Sequence, residues 1–284
     1  MHKSTFFKAN TTLNVDGKLL DLSIPVIMGI LNVTPDSFFD GGRYEQKANL
    51  LKQAEKLLQE GATIIDVGGM SSRPGAAIIE DSEELKRVIP AITAIKNEFP
   101  GAIISIDTVK STIAKAAVEA GAGIVNDISG GQIDPFLLET VAQLKVPYIL
   151  MHMRGTPKTM TKKTAYEDLI GEIQQYFVEK QAQLKKLGIK DVILDLGFGF
   201  SKNVAQNFQL LESLDQFHIF EWPILVGISR KSMIWRTLKT DSTQALNGTT
   251  VLNTIALLKG AKILRVHDVK EAMETITLLK QMND

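Results

Sequence analysis

Residues 103–127 read IISIDTVKSTIAKAAVEAGAGIVND, two short runs rich in isoleucine and valine, IISID (103–107) and GIVND (123–127), around an amphipathic stretch over 110–120. Runs of that length and composition suit buried strands, and helical spacing between them predicts one strand–helix–strand unit of a parallel sheet. The alternation repeats in both directions. Upstream lie VIMGIL (26–31) and TIIDV (63–67); downstream lie PYILM (147–151), VILDL (192–196), ILVGI (224–228) and KILRV (262–266). Helical patterns fall near 46–60, 81–97, 135–144, 165–187, 204–214, 231–259 with a break, and 268–281. Eight such units predict a closed (β/α)8 TIM barrel, because an open doubly wound sheet usually stops at about five to seven strands and leaves edges. Residues 5–22 fit no ninth unit. Their Asp16-Gly17 pair suits the turn of an N-terminal β-hairpin, which we expect to cover the barrel floor. No low-complexity segment, charge block or linker divides the chain, so residues 1–284 read as a single domain.

Composition narrows the class of partner. Lysine plus arginine number 32 and aspartate plus glutamate 32, a balance that argues against nucleic acid or an anionic membrane and favours a small-molecule substrate. The absence of cysteine excludes disulfides, thiolate metal sites and a cysteine nucleophile. No stretch approaches the roughly 18 apolar residues of a membrane span, and the N-terminus lacks an apolar core of signal-peptide length. We expect a cytoplasmic protein.

In such barrels the active site is built at the C-terminal strand ends, and here those ends are polar. The first run leads to Asn32, the second to GGMSSRPGA, the third ends at Asp107 and the fourth at Asn126-Asp127. His152-Met153-Arg154, Asp195, Ser229-Arg230-Lys231, then Arg265 and His267 end the others. A lone aspartate after a strand is commonly a helix cap, and Asn126-Asp127 could be only that. Caps do not explain Asp107, Asn126, Asp195 and Lys231 together, each ending a strand otherwise made of aliphatic residues. Carboxylates and a carboxamide aimed into one pocket suit a heterocycle edge carrying N–H and NH2 donors, and pterin and guanine edges both qualify. Arg265 and His267, with Asn32 and Arg73, read as a cationic cluster facing the acidic one and suited to phosphate or pyrophosphate. Two glycine-rich loops, 33–43 and 68–76, are candidate covers over the site. Ser232 opens the helix after the seventh run, where free backbone N–H groups can hold a carboxylate, although a plain cap would look the same.

The segments MGILNVTPDSFFDGG, DVGGMSSRPGA, SIDT, VNDISGG, MHMRGTP, LDLGFGFSK, GISRKS and RVHDV resemble, in order over residues 26–268, those of the dihydropteroate synthases. Three positions depart from that pattern: Met70 where an acidic residue is usual, Leu196 where proline is usual, and Ser201 where glycine is common. The resemblance implies a homodimeric transferase, a sulfonamide target, that condenses 7,8-dihydropterin-6-ylmethyl pyrophosphate with p-aminobenzoate, Mg2+ assisting loss of pyrophosphate. It implies that Asp107, Asn126 and Asp195 hold the pterin edge, Lys231 bonds the ring and Arg265 stacks on it. It places Asn32, Ser72 and His267 at the pyrophosphate, with Asn32 also a ligand of Mg2+. Phe38, Arg73, Pro74, Phe200, Lys231 and Ser232 are implied for the p-aminobenzoate pocket. Catalytic roles fall to Asp107, Lys231, Arg265 and His267. Two other readings compete: a methyltetrahydrofolate-type pterin-binding methyltransferase, and a catalytically silent pterin-binding module. The first needs neither a pyrophosphate cluster nor the SRPG and SRKS loops. The second predicts losses among Asn32, Arg73, Lys231, Arg265 and His267, and all five stand.

Overall fold

The computed structural model describes residues 11–33, 43–71 and 75–282. Strands β1 (Thr12–Val15) and β2 (Lys18–Asp21) pair antiparallel across a turn in which Asp16 and Gly17 take φ of 51° and 76°. Two left-handed residues make the tight turn whose twist matches a hairpin, as the sequence expectation required. Strands β3 (Val26–Asn32), β4 (Ile64–Gly68), β5 (Ile103–Asp107), β6 (Ile124–Asp127), β7 (Tyr148–Met151), β8 (Val192–Asp195), β9 (Ile224–Val226) and β10 (Ile263–Val266) follow. They pair parallel and in chain order, and β10 returns to β3 to close a barrel. Outside it run α1 (Arg43–Gln59), α2 (Asp81–Glu98), α3 (Ser111–Glu119), α4 (Leu137–Leu144), α5 (Leu169–Leu187), α6 (Val204–Glu212), α7 (Ser232–Leu238), α8 (Leu246–Leu258) and α9 (Val269–Gln281). The expected break in 231–259 is the turn between α7 and α8, which includes a single 3-10 turn at Ser242–Gln244.

Strand side chains alternate, so each strand serves two cores. Ile27, Ile65, Ile104, Val125, Leu150, Leu194, Val226 and Leu264 point outward and pack with the helices in the main core. Their neighbours Met28, Ile64, Ile124, Ile149, Ile193, Leu225 and Ile263 point inward near the strand starts and form a separate apolar layer. The hairpin closes that layer from below: Leu13, Val15 and Leu22 belong to it. Gly123 leaves room for the plug, since a Cβ there would stand 2.7 Å from Cγ1 of Val15. The expected floor-covering hairpin is therefore present, and the barrel is dry at one end.

Leu13 is 1 % exposed, so truncation opens a cavity that the closed floor cannot collapse around. We predict that Leu13→Ala lowers unfolding free energy in urea by about 2–5 kcal/mol. A loss below about 1 kcal/mol would mean that the hairpin lies on the floor without filling it.

Candidate active site

Above the apolar floor the inward positions turn polar. Two residues up from Ile64 comes Asp66, and two up from Ile103 comes Ser105; then Asn126, Asp195 and Arg265 stand two above Ile124, Ile193 and Ile263. One step nearer the mouth are Asn32, Gly68, Asp107 and His267. The closed register brings these positions together.

Arg265 is the hub. Its Nε donates to Oδ2 of Asp66 at 2.7 Å and one terminal nitrogen donates to Oδ2 of Asp107 at 2.8 Å. Nδ2 of Asn126 donates to the same Asp66 oxygen at 3.1 Å. The guanidinium thus sits inside the acidic group, not in a separate cationic cluster, because a cation in a barrel interior has to stand beside its counter-charge. Asp66 is fully buried, and its Oδ1, like Oγ of Ser105, has no hydrogen-bond partner among the described residues.

Burial dominates the titration of the site. It raises Asp107 to about 7, a shift that Arg265 opposes and the carboxylates of Asp66, Glu84 and Asp127 reinforce. Burial also raises Asp195, against Lys231 and an N–H from Gly197 that reaches its Oδ1 at 2.8 Å. It lowers Lys231 to about 8, against the pull of Asp195. Arg265 resists the same burial because Asp66 and Asp107 hold it well above its ordinary value.

Lys231 precedes α7, and Ser232 is the first residue of that helix. The Lys231 ammonium donates to the carbonyl oxygen of Phe198 and stands 4.6 Å from the ring centre of Phe200. Phe200 belongs to an apolar wall with Met70, Val109, Ile128, Met151 and Met153. His267 meets Ser229 twice, ring Nδ1 to Oγ at 3.2 Å and backbone N–H to Oγ at 3.2 Å. Arg230 and Asp268, one residue further along each loop, form a two-bond ion pair at 2.8 Å that holds the β9 and β10 ends together. Asn32 is exposed at the end of β3. Gly68 leaves open the space between Oδ1 of Asn32 and Oδ2 of Asp107, each 3.7 Å from where its Cβ would stand.

Among the residues singled out in the sequence, Asp107, Asn126, Asp195, Lys231, Arg265 and Phe200 converge on one polar mouth with an apolar wall. Asn32, His267 and Ser232 stand at its strand ends and helix start. Phe38, Ser72, Arg73 and Pro74 lie outside the described residues. Asp127 does not cap the next helix, whose N-cap position is Phe136; it turns away from the barrel lumen and closes the turn after β6, accepting from the N–H of Ser129 and Gly131 and from the hydroxyl of Tyr148 at 2.6–2.7 Å. Sequence reasoning missed Asp66. Its signal was a lone carboxylate on the inward phase of TIIDV, two residues short of the strand end.

The model of the pterin binding enzyme family matches residues 28–267. Dihydropteroate synthase of Escherichia coli K12 is 46 % identical over 270 residues, covering 94 % of this chain and 95 % of that one. The Yersinia pestis dihydropteroate synthase solved with a sulfonamide drug complex superposes with a TM-score of 0.90 at 43 % identity, over 96 % of this chain and 99 % of that chain. The Xanthomonas albilineans dihydropteroate synthase solved with 4-aminobenzoic acid gives 0.89 at 36 % identity, over 96 % and 98 %. The chain belongs to the dihydropteroate synthases, transferases of the pterin binding enzyme family.

Proposed function

We propose that the mouth around Arg265 is where this chain runs the family reaction: 7,8-dihydropterin-6-ylmethyl pyrophosphate and p-aminobenzoate give 7,8-dihydropteroate and pyrophosphate. The observation that carries the assignment is the layer of Asp66, Asp107, Asn126 and Asp195 inside a barrel whose floor is apolar. Such a layer suits a ligand edge that brings N–H and NH2 donors, and Asp195 offers it an oxygen that Gly197 leaves free. Asn126 and Lys231 complete the edge, and Arg265, fixed between two carboxylates, gives the ring a planar cation to stack on. The wall of Phe200, Met151 and Ile128 favours a flat ring over a flexible chain. Phe38, Arg73 and Pro74, with Phe200, Lys231 and Ser232, form the amine pocket in this reading, and Ser72 and His267 attend the pyrophosphate.

The C–O bond to pyrophosphate breaks and its electron pair leaves with the phosphate oxygen. Positive charge then develops on the pterin methylene. The Asp107 carboxylate faces that charge in a low-dielectric setting, where a fixed negative group acts strongly. The aniline nitrogen of p-aminobenzoate forms the new C–N bond and releases a proton. An aniline is nucleophilic at neutral pH and needs no strong general base.

The described residues hold no group of three or more histidines or carboxylates placed as a metal cage. That fits Mg2+, which keeps waters and substrate phosphate oxygens and takes few protein ligands. The exposed Asn32 carboxamide, with the clearance left by Gly68, would be its protein ligand. When bound, Mg2+ neutralises charge on the departing pyrophosphate. No described helix is long and apolar enough to cross a membrane, and we assign the enzyme to the cytoplasm. Leu238, Val251, Leu258 and Leu278 expose large apolar side chains on α7 to α9, which supports a homodimer formed through these later helices.

Three outcomes test the assignment. Incubation with the pterin pyrophosphate, Mg2+ and p-aminobenzoate yields dihydropteroate by mass spectrometry, EDTA abolishes it and excess Mg2+ restores it; undiminished product in chelator would remove the metal from the scheme. Asp195→Asn sets a donor against a donor and weakens binding of 6-hydroxymethylpterin by about 1–3 kcal/mol, or about 5- to 150-fold; calorimetry within about twofold of wild type would contradict the edge contact. The third outcome concerns pH. Asp107 acts ionised and titrates at about 7, whereas Lys231 acts protonated and titrates at about 8. The profile of kcat/KM should therefore rise as pH passes the first value and fall beyond the second. A flat profile across that interval would overturn both protonation assignments.

A further inference from the structure

Lys202 takes no part in the chemistry above, yet it is 7 % exposed beneath the loop that links β8 to α6. Its amine nitrogen donates to the carbonyl oxygens of Gly197 at 3.0 Å and Phe200 at 3.1 Å, and shares a hydrogen bond of 3.1 Å with Nδ1 of His152. The three partners occupy the three hydrogen-bonding positions of the amine.

The loop carries a turn bond of its own, from the N–H of Phe200 to the carbonyl oxygen of Gly197 at 3.1 Å, and side chains around it add to that. Gly197 and Gly199 have φ of 69° and 80°, which glycine accepts freely, whereas Ser201 at 46° is a left-handed non-glycine residue that its surroundings must hold. Gly197 is pressed so close to the end of β7 that a Cβ would stand 2.0 Å from the carbonyl oxygen of His152. Other side chains tether it too. Oδ1 of Asn207 accepts from the N–H of Gly199 at 2.6 Å, Lys231 reaches the Phe198 carbonyl, and Oγ of Ser201 accepts from the N–H of Arg154 at 2.9 Å. Lys202 bonds the loop at Gly197 and Phe200 and joins both to the residue after β7. Burial draws its charge down to about 7, with Asp195 opposing the shift and Lys231 and Arg154 adding to it. A cation kept under that pressure, away from any carboxylate contact, is not explained by packing alone.

We propose that Lys202 is a positioning residue of the amine pocket: by cross-linking Gly197, Phe200 and His152 it fixes the 196–201 loop, and so sets the Phe200 ring against Lys231. The inference rests on the assignment of Phe200 to the p-aminobenzoate pocket. The backbone of Asp195 is held in β8 by pairing with Leu225 and only its Oδ1 meets the loop, at the Gly197 N–H, so the pterin edge depends less on the lysine than the Phe200 ring does.

Lys202→Met keeps the apolar stem and removes the three hydrogen bonds. In the full-length enzyme with Mg2+, the expected result is a rise of about tenfold in KM for p-aminobenzoate, with 6-hydroxymethylpterin affinity within about twofold of wild type. Lys202→Gln, which retains two donors, should recover part of the loss. In a Phe200→Ala background Lys202→Met should add less than about twofold, because the two act through one ring. Unchanged KM for the amine in Lys202→Met, or full additivity with Phe200→Ala, overturns the proposal. An equal fall in pterin and amine affinity also overturns it, since that is what general loosening would give. Phe200→Ala without effect on the amine KM sinks the pocket assignment instead, a separate failure. Should Lys202→Met fail to fold, the same comparison on Ser201→Ala, which removes the bonds of this loop to the Arg154 N–H and the Tyr166 hydroxyl, decides: a selective rise in amine KM supports the proposal, and none opposes it.

Discussion

The site depends on one buried cation that cannot give up its charge. Burial pushes Asp107 and Asp195 up and Lys231 and Lys202 down, so each of those groups is moved toward its neutral form near neutral pH. Arginine has no such escape, its proton being held too tightly at any relevant pH. Arg265 at the inward position of β10 therefore demands carboxylates on the strands it faces, and β4 and β5 supply Asp66 and Asp107. Asn126 is drawn in as well, because its amide satisfies the Asp66 oxygen that Arg265 also uses. The apolar floor below keeps water from screening these charges, which makes the hairpin a condition of the electrostatics at the opposite end.

The barrel was legible because each strand is buried on both faces and so reads as a continuous apolar run, while each helix shows its 3.6-residue period. Strand ends agreed to within two residues, GIVND with Ile124–Asp127 and ILVGI with Ile224–Val226 among them. Asp107, Asn126, Asp195 and Lys231 could be picked out because barrel topology gathers strand ends without any knowledge of side-chain contacts. Contacts are where the sequence is silent. Asp66 sits mid-strand, where a run of isoleucine and valine hides it, and only the inward phase distinguishes it. The partner of Arg265 depends on register around the closed barrel, since β10 and β5 are far apart in the chain and are not neighbours in the sheet. The same holds for Lys202, whose partners come from two loops that the sequence separates by some fifty positions.

The three departures from the family pattern are absorbed locally, each by a different means. Met70 joins the apolar wall with Phe200 and Met151, where its flexible thioether fills the space beside the mouth. Leu196 is fully buried in the main core outside the barrel, so a larger aliphatic group in place of proline is taken up by packing with the helices. Ser201 keeps the left-handed backbone that glycine would accept more easily, and its hydroxyl accepts from Arg154, a bond glycine could not make.

These details separate the two halves of the site by the way each is held. In the proposed assignment the pterin side is fixed by strands: Asp66, Asp107, Asn126 and Asp195 stand on strands paired on both sides, and Arg265 is paired to β3. The Phe200 side is fixed by side chains acting on a loop, through Lys202, Lys231, Asn207 and Ser201. Catalysis gains from interactions that are stronger in the transition state than in the ground state, and those require groups already in place as charge develops. In the proposed assignment the carboxylate that faces the cationic methylene therefore belongs on the rigid half, where no reorganisation is needed. The incoming amine needs only to be aimed, and a loop that is clamped by replaceable side chains can be reshaped by substitution while the charged layer stays as it is.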